Sequence, residues 1–279
     1  MTMERRGLRS RTRAAASVGL SRRALYYAPA PGPIRRLRPD ERTVRARVRA
    51  VALAHPVFGY RRVWATLRAR HVPPINAKRV RRILREEGLM QQAHYPRPRL
   101  PSTGRLAAKR PNQSWAADIT YVMTTDSGPV PLLAVLDACT REVVGHELLR
   151  SCGAIDALAV VSRAVMDRFP RSGAAPGLVL ITDGGSQFVA HAFQDGIRRL
   201  GISLRATRKR RPEDNGLIES WNGHFKHDYL WTREPDSFVA TRELVAESVR
   251  DYNEARPHSS LNYLTPAEFG RKKMEESRA

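Results

Sequence analysis

Residues 178–188 read Leu-Val-Leu-Ile-Thr-Asp-Gly-Gly-Ser-Gln-Phe, an apolar, β-branched run that stops at an acid and a glycine pair. A run of this kind predicts a short buried strand that enters a tight turn and leaves Asp183 at its end. Upstream, Trp-Ala-Ala-Asp-Ile-Thr-Tyr (115–121) predicts another buried strand, with Asp118 inside it. Downstream, Asp-Asn-Gly-Leu-Ile-Glu-Ser-Trp-Asn-Gly-His-Phe-Lys (214–226) predicts a helix carrying Glu219, with thirty-five residues between Asp183 and Glu219. A lone carboxylate inside a strand is costly unless it is paired or bound to metal. Asp183 before Gly-Gly also reads as a turn residue, and Glu219 also reads as an exposed helix charge.

From residue 113 onward strands and helices alternate. Residues 115–123, 131–138 and 141–149 predict three strands, the last two as a hairpin. A helix over 154–168, a strand over 178–182, a helix over 190–200 and a strand over 202–206 precede the Glu219 helix. The three acids, their flanks and this order closely resemble the DDE transposases of bacterial insertion sequences, whose core is like retroviral integrase. The resemblance runs from about residue 40 to 270. It implies an α/β fold, an RNase H-like integrase catalytic core over 113–270 preceded by a basic all-α helix-turn-helix region. In that core the first acid lies on the first strand, the second follows the fourth strand and the third is on a late helix. The resemblance makes Asp118, Asp183 and Glu219 the expected catalytic and metal-binding residues, with two Mg²⁺ or Mn²⁺ ions as cofactors. The tail Tyr-Asn-Glu-Ala-Arg-Pro-His-Ser-Ser-Leu-Asn-Tyr-Leu-Thr-Pro-Ala-Glu-Phe (252–269) resembles the end of the family's core. It reads as structural, with Leu261, Leu264 and Phe269 packed against the sheet.

Phosphodiester chemistry explains the residue types. Two divalent ions roughly 3.5–4 Å apart can activate a water or a 3′ hydroxyl and stabilise the leaving oxygen. Mg²⁺ takes a few carboxylates and fills its other positions with water and phosphate, so three acids leave room for substrate. Lys226, seven residues after Glu219, returns to within roughly 20° of the same helical face, and Asn222 lies three residues after Glu219. Both are expected to contact DNA, the resemblance implying a basic residue at 226 near the cut. Arg205, Arg208, Lys209, Arg210 and Arg211 form a cluster expected to grip DNA backbone, in a loop marked by Pro212 and Gly216. His224 and His227 read as ordinary polar positions, because no Cys or His pair at zinc spacing accompanies them.

The net charge of +22 is unevenly placed. Residues 1–110 carry 28 Lys/Arg against 5 Asp/Glu, and residues 111–279 carry 21 against 22. An excess confined to one part points to a polyanion such as DNA. Residues 1–33 read as a basic arm with a partial helix-turn-helix at 13–27, in which Gly19 ends one helix and Ser21 caps the next. A Pro-rich joint at 28–33 closes it. Residues 40–92 read as a helix-turn-helix module. Asp40 starts a helix with Val44, Val48, Val51 and Ala52 inward. Val63, Trp64 and Leu67 face inward on a second helix. Asn76 caps a third, which Gly88 ends. That third helix crowds Lys78, Arg79, Arg81, Arg82 and Arg85 onto its other side, as a DNA-contacting face. Residues 93–112 read as a basic Pro-rich linker, and 271–279 as a charged tail. No run approaches the roughly 18 apolar residues of a membrane span. The two cysteines, Cys139 and Cys152, are too few for a disulfide framework. Cytoplasm beside the nucleoid is the simplest compartment.

The resemblance therefore implies an insertion-sequence transposase that binds terminal inverted repeats, cleaves at the 3′ ends and joins them to target DNA by transesterification. A homo-oligomer in the DNA complex is expected, because two ends must meet. An upstream-frame helix-turn-helix protein is a further expected partner, since relatives are made as frameshift fusions and this chain corresponds to the downstream product. A DNA-binding regulator with a vestigial core and a structure-specific RNase H-like nuclease are the other readings. Residues 1–110 alone are expected to bind duplex DNA, with a slope of log affinity against log salt steeper than about −5, at about −0.9 per phosphate neutralised. A mobility-shift series over salt checks this, and a flat dependence would mean that these charges face solvent.

Overall fold

Leu132–Leu136 are buried without a break, which a strand with one wet face does not allow. They lie in β2 (Gly128–Asp137), between β1 (Ser114–Thr124) and β3 (Val143–Leu148). The computed structural model describes residues 40–69, 75–91, 108–207, 216–231, 233 and 235–277. β4 (Val179–Thr182) and β5 (Ser203–Ala206) complete a five-stranded sheet in the order β3-β2-β1-β4-β5. β1 pairs antiparallel with β2 and parallel with β4, and β4 pairs parallel with β5. The expected strands appear, but the single hairpin is two. β1 and β2 are also joined by a tight turn over 125–127, where Gly128 takes φ +67 and Thr124 Oγ1 donates to the Gly128 carbonyl at 3.0 Å. The left-handed residue that closes this turn is glycine, which adopts it without strain.

Helices cover both faces. The helices α4 (Ala154–Arg168), α5 (Ser186–Val189) and α6 (His191–Arg199) pack with Trp115, Ala117, Leu133, Val135 and Leu180. On the other face α7 (Gly216–Phe225), one π turn (Lys226–Leu230) and α8 (Phe238–Glu254) pack with Ala116, Leu132, Ala134 and Leu136. The odd and even residues of β1 and β2 thus serve different layers, as the pleat requires. Among the described residues no helix is long and apolar enough to cross a membrane.

The chain divides into two compact units, Met1–Arg45 and Ala46–Ala279. Of the first, residues 40–45 are described; they begin α1 (Glu41–Ala54), where Glu41 faces Arg45 at 3.7 Å. The expected arm with its partial helix-turn-helix lies outside the described residues, as do residues 93–107 of the expected linker 93–112; its last residues are described and belong to the core, with Asn112 N donating to Asp137 Oδ2 at 2.6 Å. In the second unit, α2 (Tyr60–Ala69) and α3 (Ala77–Glu86) bury Val63, Leu67, Val80, Ile83 and Leu84. Asn76 caps α3 by accepting from the Lys78 amide at 2.8 Å, and Gly88 follows it at φ +70. Trp64 is only half-buried: its indole donates to the Ile75 carbonyl at 2.8 Å and its ring meets Tyr263 edge-on at 5.7 Å.

The C-terminal end differs from expectation in two respects. α9 (Pro266–Glu276) runs through residue 270, so 271–276 continue a core helix. A capping box explains where it starts: Glu268 N donates to Thr265 Oγ1 at 3.2 Å, and Thr265 N to the Glu268 carboxylate at 2.9 Å. Leu261 is buried, but Leu264 and Phe269 are half-buried, and Lys273 lies 5.8 Å over the Phe269 ring. Neither leucine nor Phe269 belongs to the two apolar clusters of the sheet.

Gly145 on β3 lies where α4 comes closest, and a Cβ there would meet Ala164 Cβ at 3.0 Å and the Val160 carbonyl at 3.4 Å. Gly145→Val is expected to cost about 1–3 kcal/mol by overpacking. A lower unfolding midpoint in denaturant, at unchanged slope, checks this.

Candidate active site

The register of β1 against β4 builds the site. The parallel pairing runs from Ser114↔Val179 to Ala117↔Thr182 and then stops. Asp118 and Asp183 are the next residues on the two strands: Asp118 lies within β1, which runs on to Thr124, and Asp183 stands one step beyond the last pair, at the carboxyl end of β4. Open α/β sheets commonly bind their ligands there. Strand neighbours lie about 4.8 Å apart. Asp118 shares its pleat face with Ala116, which packs under α7. Gly185 lets the chain turn after Asp183: its amide donates to Asp183 Oδ1 at 3.1 Å, and a Cβ there would collide with Gln187 and stand 3.0 Å from Asp183 Oδ1.

α7 brings the third acid. Its inner face buries Ile218, Trp221, Asn222 and Phe225, and Glu219 stands exposed on the helix. Asp118 is half-buried, and its carboxyl is pushed up to about 6 by burial, by Asp183 and by Glu219, against hydrogen bonds from the Ile119 backbone and Asn222. Asp183 and Glu219 therefore both act on Asp118. Among the described residues no three His, Cys, Asp or Glu side chains converge closely enough to ligate one ion, and like charges do not converge unaided.

Asn222 differs from the sequence expectation of a DNA contact. It is buried, and its Nδ2 donates to Asp118 Oδ2 at 2.8 Å, while its Oδ1 is buried without a hydrogen-bond partner. Spacing placed it on the Glu219 face but could not show that this face turns inward. Lys226 opens the π turn and is half-buried. Partial desolvation pulls its ammonium down, opposed by the Asp118 carboxylate nearby. His224 Nδ1 lies 2.6 Å from the Ser220 carbonyl, and His227 Nδ1 lies 3.0 Å from Asp228 Oδ1.

The basic candidates are spread more widely. Arg205 is exposed on β5, at the sheet's edge. Arg208, Lys209, Arg210 and Arg211 lie outside the described residues. On α3, Lys78, Arg81 and Arg85 are exposed, and Arg79 and Arg82 are half-buried. Arg82 pairs with Glu86 at 2.8 Å, and Arg81 lies 5.6 Å over the Tyr60 ring. Sequence reasoning missed a buried ionic cluster beyond Lys226, in which Asp228 meets Arg256 at 2.7 Å and Arg62 at 3.6 Å.

Three family models match the chain: an HTH-like domain over residues 39–99, an integrase core domain over 108–212 and a second integrase core domain over 200–266. Transposase InsD for insertion element IS2A/D/F/H/I/K of Escherichia coli is 35% identical over 244 residues, covering 84% of this chain and 80% of that protein. Transposase InsD for insertion element IS2-9 of Escherichia coli (strain K12) is 35% identical over the same length, covering 84% and 78%. A chain from the simian T-cell lymphotropic virus intasome in complex with PP2A regulatory subunit B56 gamma aligns with a TM-score of 0.52 at 16% identity, over 80% of this chain and 74% of that one. That last likeness is one of fold.

Asp118 titrates near 6 in the folded chain against 3.8 for an ordinary Asp, so the folded state holds the proton more tightly than the unfolded state. Stability from this group is gained as pH falls through about 6 and lost as pH rises through it. Asp118→Asn, which cannot ionise, is expected to raise the melting temperature of the metal-free protein at about pH 7.5 by about 2–4 °C, for roughly 1 kcal/mol after solvent screening. The difference should shrink as pH falls through about 6 and vanish only below the ordinary value of 3.8, so near pH 3.5 the two proteins should melt alike. Calorimetry at both pH values checks this.

Proposed function

The chain belongs to the insertion-element transposases built on an integrase core, and we propose that Asp118, Asp183 and Glu219 are the acids with which it cuts and joins DNA. Membership supplies the reaction class: the protein is a transposase, a polynucleotidyl transferase that binds DNA and catalyses its transposition. The residue assignment is carried by one observation, the β1/β4 register that sets Asp118 beside Asp183. α7 adds Glu219, whose charge reaches Asp118.

Three carboxylates are hard oxygen donors suited to Mg²⁺ or Mn²⁺. Two features fit cations in this place: the burial and neighbouring negative charge that lift the Asp118 carboxyl, and the orphaned Asn222 Oδ1 at its side. We assign Asp118, Asp183 and Glu219 as ligands of two such ions. When bound, the ions supply the positive charge that phosphoryl transfer needs at its attacking and leaving oxygens. The rest falls to the chain. Asn222 fixes the rotamer of Asp118 through Oδ2. The Lys226 ammonium, with three donors, holds a phosphate oxygen beside the cut. Arg205 steadies the DNA backbone at the sheet edge, and the α3 face from Lys78 to Arg85 holds the terminal repeat. Two ends must be brought together, which requires a homo-oligomer on DNA. An upstream-frame helix-turn-helix protein is a further partner of this reading, and the cytoplasm beside the nucleoid is its compartment.

Asp118→Asn, Asp183→Asn and Glu219→Gln should each abolish cleavage and joining while leaving binding of the terminal repeat within about threefold. A pre-cut end with a 3′ hydroxyl should be joined to a plasmid, and a 3′ dideoxy end should not, because the hydroxyl is the nucleophile of the second step. Mg²⁺ or Mn²⁺ should raise the melting temperature of the wild-type chain and not of the three variants. Cleavage retained in any one variant removes that residue from the site. Hydrolysed but never joined strands would support a nuclease instead.

A further inference from the structure

The ionic cluster around Asp228 has no role in the site described so far. Asp228 lies nine residues after Glu219, on the π turn that extends α7. At about 100° per residue it points away from the Glu219 face. Its Oδ2 accepts from Arg256 Nε at 3.2 Å and Nη2 at 2.7 Å. Arg62, on α2 of the helical module, brings Nη1 to 3.6 Å of the same oxygen. Burial would push the Asp228 carboxyl up, but Arg256, the His227 hydrogen bond and Arg62 outweigh it and hold it below the usual range. Burial pulls the Arg62 guanidinium down, and the like charge of Arg256 adds to that. The next residue, Tyr229, donates to Asp251 Oδ2 at 2.7 Å, and Asp251 Oδ1 stands 3.9 Å from His55 Nδ1. Two consecutive residues of the π turn thus lie towards the module, Asp228 meeting Arg62 directly and Tyr229 bonded to Asp251, which stands near His55. Single π turns inside helices frequently mark functional sites. An arginine of a DNA-binding module that is drawn inward to a buried carboxylate is poorly placed to reach phosphate.

We propose that Arg62 and Asp228 are positioning residues that hold the helical module against the Glu219 helix, so that DNA gripped by the module is held in register with the catalytic acids. The proposal rests on the assignment of those acids above. It gives the π turn a purpose: the turn points Asp228 at the module while Lys226, at its start, stays near Asp118.

Asp228→Asn leaves Arg256 buried with a weakened partner and could unfold the chain. Arg62→Ala is the cleaner variant, because Arg62 is 27% exposed and Arg256 still neutralises Asp228. The probe is a duplex copying the terminal repeat that flanks the chain's own reading frame, with the full-length protein. In the wild type, binding should slow amide hydrogen exchange over residues 216–231. In Arg62→Ala the duplex should bind with unchanged salt dependence, yet the slowing should be lost and joining of pre-cut ends at saturating duplex should fall about tenfold. Arg62→Lys, which keeps a charge near Asp228, should restore both. A salt slope reduced by about 0.9 with slowing retained makes Arg62 a phosphate contact and overturns the proposal. So does an Arg62→Ala protein that matches the wild type, or a wild type whose exchange ignores the duplex. A wild type that joins nothing sinks the catalytic assignment and with it the register to the acids, while exchange slowed in the wild type and not in Arg62→Ala still supports Arg62 as the link from the module to the Glu219 helix.

Discussion

The parallel pairing of β1 with β4 is the constraint from which the rest follows. It lasts four residues, and its last pair is Ala117↔Thr182. Because side chains alternate along a strand, a slip of one residue would turn Asp118 from the α7 face to the α4 face. Such a slip is opposed from both sides: Ala116 must pack under α7 and Ala117 under α4, and Trp115 must reach the α4 layer. The apolar core thus sets where the acids sit, and it also lifts the Asp118 carboxyl, by burial first and by the neighbouring Asp183 and Glu219 second.

Much of the fold was legible because its signals are local. α4 spans the expected residues 154–168, and β4 ends where the apolar run 178–182 ends. Asn76 and Gly88 bracket α3 as cap and stop. The β1–β2 turn escaped notice because Thr-Thr-Asp-Ser-Gly (124–128) lacks the two-residue Asn-Gly or Asp-Gly pattern that marks the commonest hairpins. The charged end 271–276 looked like a tail because its helix is nucleated upstream, by Thr265 and Glu268.

The candidate site was legible as three acids and not as a network. Spacing along a helix shows which residues share a face, and Glu219, Asn222 and Lys226 do. It does not show which part of that face turns inward, so the Asn222 link to Asp118, 104 positions away in sequence, had no local trace. The same holds for Asp228 and Arg256, which meet across 28 positions in the interior. A π turn is equally silent, because its extra residue is accommodated by tertiary contacts and not announced by composition.

The seating of the helical module on the core also bears on how tightly the core itself must hold DNA. Residues 111–279 carry almost no net charge, so long-range attraction comes from the other part of the chain. With recognition and chemistry in one covalent body, DNA caught by the module meets the acids as an intramolecular partner, at an effective concentration that can reach the millimolar range. On the proposed reading, weak local contacts at Lys226 and Arg205 then suffice for occupancy. The catalytic surface is left free to accept different target sequences and to let go of the joined product.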